Sequence, residues 1–306
     1  MGGVGGVDGV DAMGAMESTD GTAVPTSVSP AVERVELNDG TAMPRLGLGV
    51  FQAGVDEAAA AVRTALLAGY RMVDTAAVYG NEAGVGRGIA DSGVPREDVF
   101  VVTKVWNDDQ GYDATLRAFD ASAARLGLDH VDQYLIHWPR PRLDLYPETW
   151  RALCRLRAEG RVRSIGVSNF APEHIDRLIA ESGTAPAVNQ IELHPGLHQG
   201  GLRAYHASRG IATQAWSPLG RGQGFLSHRA VAAVAEAHGR TPAQVVLRWH
   251  LQMGVVPLPK SVTPERIRGN LDVFGFELDA TEMDLITGVG DGYHVGPDPS
   301  LLFDIS

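Results

Sequence analysis

From about residue 46 to residue 262 the chain repeats one pattern: a short apolar run, then a longer stretch whose apolar positions recur three or four apart. Each pair takes roughly thirty residues, the rhythm of strand–helix units that build a parallel sheet. The apolar runs end near Phe51, Ala76, Val105, Pro139, Asn169, Leu193, Ser217 and Lys260, which predicts eight strands. Helices are predicted to begin near Asp56, Asn81, Tyr112, Pro147, Pro172, Gln199, Ser227 and Thr263. Pro172 and Pro242 mark first turns, and Gly69, Gly127, Gly160 and Gly210 mark helix ends. The stretch from Ser227 to Gly254 reads as two helices broken at Arg240-Thr241-Pro242, and Glu282–Val289 as an extra helix. Val35–Met43 reads as a hairpin turning on Asp39-Gly40. The last seventeen residues, rich in Gly and Pro, read as a surface flap.

Eight strand–helix units close naturally into a barrel. The expected fold is therefore α/β, a (β/α)8 TIM barrel with an N-terminal β-hairpin and an extra C-terminal helix and tail, forming a single domain over residues 31–306. A doubly wound sheet would carry a Gly-rich fingerprint after its first strand. Leu46-Gly47-Leu48-Gly49-Val50-Phe51 lacks the third glycine. Gly84-Val85-Gly86-Arg87-Gly88 falls in a helical region, where it reads as close helix packing rather than a phosphate loop.

Composition narrows the partners. Over 306 residues the formal net charge is −11, which disfavours nucleic acid and anionic lipid but says nothing against an anionic cofactor. The single cysteine, Cys154, allows no internal disulfide and no metal-ligand spacing, and reads as a small buried side chain. Cysteine poverty and the absence of a long apolar run point to a cytoplasmic protein. Residues 1–30 lack the basic start and apolar run of a signal peptide and read as a disordered tail or an over-long start.

In a barrel the active site lies at the C-terminal ends of the strands. Those ends carry Asp74, Lys104, His137, Ser168-Asn169, Asn189-Gln190, Trp216-Ser217 and Lys260-Ser261. Alone, Asp74 reads as a turn cap, Lys104 as a solvated charge and His137 as a core histidine. Together, an Asp and a Lys at neighbouring strand ends predict a buried ion pair, because an unpaired buried charge is costly. Tyr79 follows Asp74 in the same loop. A nearby ammonium favours a phenolate, so Lys104 is expected to lower the pKa of Tyr79, with Asp74 keeping Lys104 charged. His137 offers a second donor to a developing alkoxide. Such a donor set suits carbonyl reduction and needs a hydride source, which a nicotinamide supplies.

Three long motifs sharpen this. Gly69-Tyr70-Arg71-Met72-Val73-Asp74-Thr75-Ala76-Ala77-Val78-Tyr79-Gly80-Asn81-Glu82 resembles the first signature of the aldo-keto reductases. Leu128–Pro139 is similar to the stretch carrying their histidine, and Pro259–Ile267 resembles their third signature. Gly166–Phe170 and Trp216–Gly220 also match, and the resemblance spans roughly residues 33–300, closest to the bacterial branch of 2,5-diketo-gluconic acid reductases and prostaglandin-F-synthase-like enzymes. It implies a barrel that binds NADPH/NADP+ without a Gly-rich loop, usually as a monomer. Tyr79 would be the general acid, tuned by Asp74 and Lys104, with His137 orienting the carbonyl. Ser168, Asn169 and Gln190 would hold the nicotinamide carboxamide, and Trp216 would stack on its ring. Ser217, Leu219 and Gly220 would line the pyrophosphate. Lys260, Ser261 and Arg266 would clamp the 2′-phosphate, favouring NADPH, and Asn270 would touch adenine. Gly49 and Val262 complete the expected cofactor site. One departure stands out: relatives usually carry Glu before that Asn, where this chain has Gly269, so the adenine end would be held more loosely.

Phe51, Trp106 and Trp138, just past strand ends, are expected to wall the substrate pocket, with Tyr293, His294 and Val295 closing it. Three aromatics and few nearby cations favour an apolar or mixed aldehyde or ketone over a charged sugar acid. Two other readings stand beside the reductase. One is a non-catalytic nucleotide-sensing subunit on the same barrel. The other is a Schiff-base lyase using Lys104, which would need a neutral amine.

Overall fold

The computed structural model describes residues 1–3, 33–290, 292–297 and 299. The expected tail over residues 1–30 lies, from residue 4 onward, outside the described residues. The chain opens with a hairpin, β1 (Arg34–Glu36) against β2 (Ala42–Pro44). Its loop is one residue longer than a two-residue turn. Gly40 donates to Leu37 O at 2.9 Å, so Asn38-Asp39 occupies the bend and Gly40 follows in the left-handed region at φ 82°. That is the three-residue hairpin in which a bulge glycine restores the strand register.

Eight parallel strands follow in one sheet: β3 (Leu48–Gly49), β4 (Met72–Asp74), β5 (Phe100–Val105), β6 (Val131–Ile136), β7 (Val162–Ser168), β8 (Val188–Glu192), β9 (Ala212–Trp216) and β10 (Val256–Pro257). The barrel closes where Gly49 bridges Lys260 in parallel and the Gly47 and Gly49 amides donate to Pro257 O and Pro259 O at 3.2 and 3.1 Å. The strands alternate with α1 (Val55–Ala68), α2 (Glu82–Ser92), α3 (Tyr112–Leu126), α4 (Tyr146–Ala158), α5 (Pro172–Ser182) and α6 (Gly200–Ser208). Two helices, α7 (Arg229–Ala237) and α8 (Pro242–Gln252), link β9 to β10, then α9 (Pro264–Leu271) and α10 (Ala280–Thr287) complete the ring. The break between α7 and α8 falls at Thr241, whose side chain caps the Gln244 amide at 3.3 Å.

The two faces of each strand divide the core. On β5, Val101 and Val105 join the layer between barrel and helices, while Phe100 and Val102 join an apolar cluster inside the barrel with Met72, Leu135, Val188 and Leu258. The hairpin plugs that end through Leu37 and Met43. Because side chains alternate along a strand, the next inward position after Phe100 and Val102 is Lys104. The same climb runs from Met72 to Asp74 and from Leu135 to His137. Packing of the apolar layers thus fixes the polar layer above them.

The glycines of Gly84-Val85-Gly86-Arg87-Gly88 act as packing residues, as expected. A Cβ on Gly86 would lie 2.0 Å from Leu126 O, and one on Gly84 2.1 Å from Val55 O, so α2 meets the backbone of α3 and of α1 at its glycines. Cys154 is half-buried against the core, and burial pushes its thiol up, away from nucleophile chemistry. Among the described residues, no helix is long and apolar enough to cross a membrane.

Candidate active site

The rim at the C-terminal ends of the strands gathers the expected chemistry. Lys104 is 0% exposed, and its ammonium donates to Asp74 Oδ1 at 2.7 Å and to Thr75 O at 2.9 Å. Tyr79 stands beside it, with the ammonium 5.2 Å from the ring centroid and coupled to the phenol electrostatically. Burial alone would lower the Lys104 pKa, but Asp74 and Tyr79 outweigh it and hold it above its usual value. A charged amine held in a buried ion pair is no Schiff-base nucleophile, and the lyase reading finds no support here.

Tyr79 sits in a short 3-10 turn, Ala77–Tyr79, ended by Gly80 in the left-handed region. Two buried side chains pin the ends of this loop. Thr75 Oγ1 donates to Asn81 Oδ1 at 2.8 Å, and Asn81 Nδ2 donates to Val50 O and Ala53 O at 2.9 and 3.0 Å. The expected fall in the Tyr79 pKa is not the net outcome. Burial pushes it above its ordinary value; Lys104 pulls it back and Asp74 adds to the rise. The phenol therefore keeps its proton at neutral pH.

His137 packs edge-on against Tyr79 and Trp106, with ring centroids 5.7 and 5.1 Å away. Burial, then the charge of Lys104, push its pKa well below 6.5, so the ring is neutral. Its Nδ1 is buried without a hydrogen-bond partner. An orphaned buried N–H is rarer than an orphaned acceptor, which places the proton on Nε2. Phe51 tilts over Tyr79 at 5.0 Å. Trp138 is half-buried and, among the described residues, shares no ring contact with these groups; its carbonyl accepts from Gln110 Nε2 at 2.7 Å.

The expected nicotinamide residues form one connected wall. Ser168 Oγ donates to Gln190 O at 2.8 Å, and Asn169 Nδ2 donates to His137 O and Ser168 Oγ, both at 3.0 Å. Trp216 Nε1 donates to Asn169 Oδ1 at 2.8 Å, which fixes the indole plane. Gln190 Nε2 is taken by Asp74 Oδ2 at 2.9 Å and Gln214 Oε1 at 3.0 Å. Lys260, Ser261, Arg266 and Asn270 cluster from the end of β10 into α9, across the barrel seam from Gly49. Lys260 and Arg266 are exposed, and among the described residues neither has a carboxylate partner. Val262 and Leu219 pack against the core, and Gly220 lies under Phe225. Beside Gly269 there is open space where a larger side chain would stand.

Sequence reasoning missed three features. Gln214 Nε2 donates to Gln133 Oε1 at 3.0 Å, so Asp74, Gln190, Gln214 and Gln133 form a hydrogen-bonded row through the barrel interior. The available signal was a single glutamine in each of three strands, set among other polar residues such as Asp132, Asn189 and Thr213. Arg221 is the second. Its guanidinium lies over the rings of Phe51 and Trp216, 5.2 and 5.8 Å from their centroids, and it acts on Tyr79 electrostatically. The expectation of few cations at the pocket is corrected by this one, which no strand pattern marks because Arg221 sits in a loop. The third is Glu192, buried at the end of β8 two positions past Gln190.

With the geometry in place, comparison identifies the class. The aldo/keto reductase family model matches residues 45–291. An aldo-keto reductase of Mycolicibacterium smegmatis is 57% identical over 266 residues, covering 87% of this chain and 96% of that one. The glyoxal reductase of Bacillus subtilis is 49% identical over 282 residues, covering 92% of this chain and 100% of that one. A crystal structure of a Gox0644 mutant in complex with NADPH superposes with a TM-score of 0.85 at 49% identity, covering 89% of this chain and 98% of that one. The chain belongs to the aldo/keto reductase family.

Proposed function

We propose that this aldo/keto reductase reduces aldehydes or ketones to alcohols with NADPH, reversibly, using Tyr79 as the general acid. The observation that carries the reading is the Lys104 ammonium. It is bonded to Asp74 and Thr75 O and stands against Tyr79. A positive charge beside the phenol favours a Tyr79 proton aimed away from it, toward the cleft that His137 faces. A carbonyl oxygen there receives the Tyr79 proton while Nε2–H of His137 holds it in line. As the phenolate forms, Lys104 is already charged and in contact, so little reorganisation is needed.

The cofactor residues fit the group. Two exposed cations without carboxylate partners, beside Ser261 at the start of α9, suit a dianionic phosphate. Trp216 offers a held aromatic face, and Asn169 Oδ1 keeps a second lone pair for a carboxamide N–H. NADPH, when bound, supplies the hydride. The Gox0644 mutant, 49% identical, was crystallised in complex with NADPH, which supports the choice of cofactor.

For the substrate, Phe51 and Trp106 favour an apolar or mixed carbonyl, and Arg221 adds a donor at the mouth that suits a second oxygen on the substrate. Small dicarbonyls, named by the Bacillus subtilis relative, join the class. The complete donor set around Tyr79 favours turnover over nucleotide sensing alone. We place the protein in the cytoplasm as a monomer. The test is NADPH oxidation across aromatic aldehydes, aliphatic aldehydes, dicarbonyls and sugar acids, with Tyr79→Phe as the paired variant. The variant should lose on the order of 10²–10⁴-fold in kcat without loss of fold. Full activity in the variant refutes the acid assignment, and sugar acids far outrunning the rest refute the substrate class.

A further inference from the structure

Two positions beyond Gln190 on the same inward face of β8, Glu192 is 1% exposed and takes no part in the chemistry above. Its Oε1 accepts from the Val295 amide at 2.5 Å, the Gly296 amide at 3.2 Å and His194 Nε2 at 3.0 Å. Its Oε2 accepts from His294 Nδ1 at 3.2 Å and the Gly296 amide at 3.3 Å. His194 Nδ1 accepts from the Gly196 amide at 3.2 Å, so the ring donates to Glu192 while neutral. A buried carboxylate is tolerated only where donors surround it. Most of the donors here belong to the chain segment 293–296, which returns from beyond the last helix.

That segment is pressed onto the cofactor wall. Glu192 pairs with Trp216 across β8 and β9, and a Cβ on Gly296 would lie 2.5 Å from Trp216 Cη2. The same cluster reaches the loop after β9. Phe225 stacks on His194 at 4.9 Å and meets Tyr293 at 6.0 Å, and the Tyr293 amide donates to Gly196 O at 3.0 Å.

We propose that Glu192 is a positioning residue: its carboxylate latches residues 293–296 against the edge of Trp216 and so fixes one wall of the substrate pocket. This rests on Trp216 being the face against which the nicotinamide lies. Releasing the latch loosens the wall without touching Tyr79, Lys104 or His137. The cost falls on binding, and more on a substrate large enough to use that wall.

Two variants of the full chain test this. Glu192→Gln weakens the acceptor, and Val295→Pro removes one tail donor and leaves the carboxylate intact. Each should speed amide exchange in residues 293–296. Each should also raise KM for an aromatic aldehyde about tenfold, with kcat changed less than about threefold, and the double variant should be no worse than the poorer single one. Unchanged tail exchange in both variants, KM effects that add in the double, or an equal kcat loss for every substrate overturns the proposal. If Glu192→Gln does not fold, Val295→Pro decides alone, since it changes the tail and leaves the barrel strands and the carboxylate as they are. If the wild-type chain turns over no carbonyl, the reductase reading fails separately, and tail exchange still decides whether the latch exists.

Discussion

The two sides of the rim are built on different principles. On the side of β4 to β6, Asp74, Lys104 and His137 stand on strands, inside columns of packed apolar side chains. Lys104 is wholly buried and bonded to Asp74 and Thr75 O, and Thr75, Asn81 and Gln190 hold the surroundings. Across the cleft, Trp216 ends β9, while Arg221 and residues 293–296, which stand beside it, are carried by loops. Ser217, Gly220, Arg221, Gly222 and Gly224 all lie in the left-handed backbone region. Two of them are not glycine, and a left-handed backbone at such a residue persists only where its surroundings enforce it. On the proposed mechanism, the first side presents a fixed proton donor to any carbonyl. The second is the side on which relatives sharing the chemistry can differ in what they bind, because changing it leaves the ion pair intact.

The comparison is broken most forcefully at Lys104. Lys104→Met leaves Asp74 buried without its partner, so stability should fall by about 3–5 kcal/mol. kcat/KM should fall by at least roughly 10³-fold, because the phenolate loses its charge partner. Calorimetry and steady-state kinetics measure both, and a stable, active variant would mean the side is not built around the pair.

Gly86→Ala tests the backing of the same side. Alanine in a helix ordinarily gains about 1 kcal/mol over glycine. Here the new Cβ would sit 2.0 Å from Leu126 O, so the sign should reverse. A loss of about 1–3 kcal/mol in denaturant unfolding is expected, with kinetic constants unchanged. A gain in stability would show that α2 and α3 have room to separate.

The pH dependence follows from buried groups. His206 and His250 are pushed down to about 4 by burial, and His137 is pushed well below 6.5. The unfolded chain then binds more protons than the folded one below the ordinary histidine pKa of about 6.5. Stability should be level above that pH and should fall as pH drops from there toward 4. Tyr79, raised by burial, holds its proton through neutral pH, so carbonyl reduction should show no break near pH 7 and should decline only toward pH 10 and above. Alcohol oxidation, which needs the phenolate, should rise over that range. A break in reduction near neutrality would point to a different proton donor.

The smallest effect is expected on the second side. Arg221→Ala removes a guanidinium resting on two aromatic faces, so thermal stability should change little. The ranking of dicarbonyls against simple aldehydes should shift by up to about tenfold. An unchanged ranking would remove Arg221 from the pocket's selectivity.

Much of this was legible in advance, for a reason visible in particular residues. Strand alternation puts Phe100, Val102 and Lys104 on one face, so an apolar run ending in a charged residue already says that the charge tops a packed column. The same holds for Asp74 after Met72 and for His137 after Leu135. The breaks at Thr241 and at the end of α3 were written in Pro and Gly. The hairpin was legible but its loop length was not, since Asn38-Asp39-Gly40 serves a two-residue and a three-residue turn almost equally well. Arg221 and Glu192 were not legible as site residues. One is a charge in a loop. The other lies one position past Ile191, and apart from His194 its donors arrive from His294, Val295 and Gly296, about a hundred residues later.

The sequence by itself determined the eight-unit barrel, the layer on which the chemistry stands and the members of the ion pair, because each depends on contacts repeated locally along strands and helices. Only the tertiary structure decided the direction of the Tyr79 pKa, the row of glutamines beneath it, the cation over Phe51 and Trp216, and the carboxylate that holds the tail. Each of these is a sum over groups brought together from distant parts of the chain, and burial, which no single segment records, decides the sign.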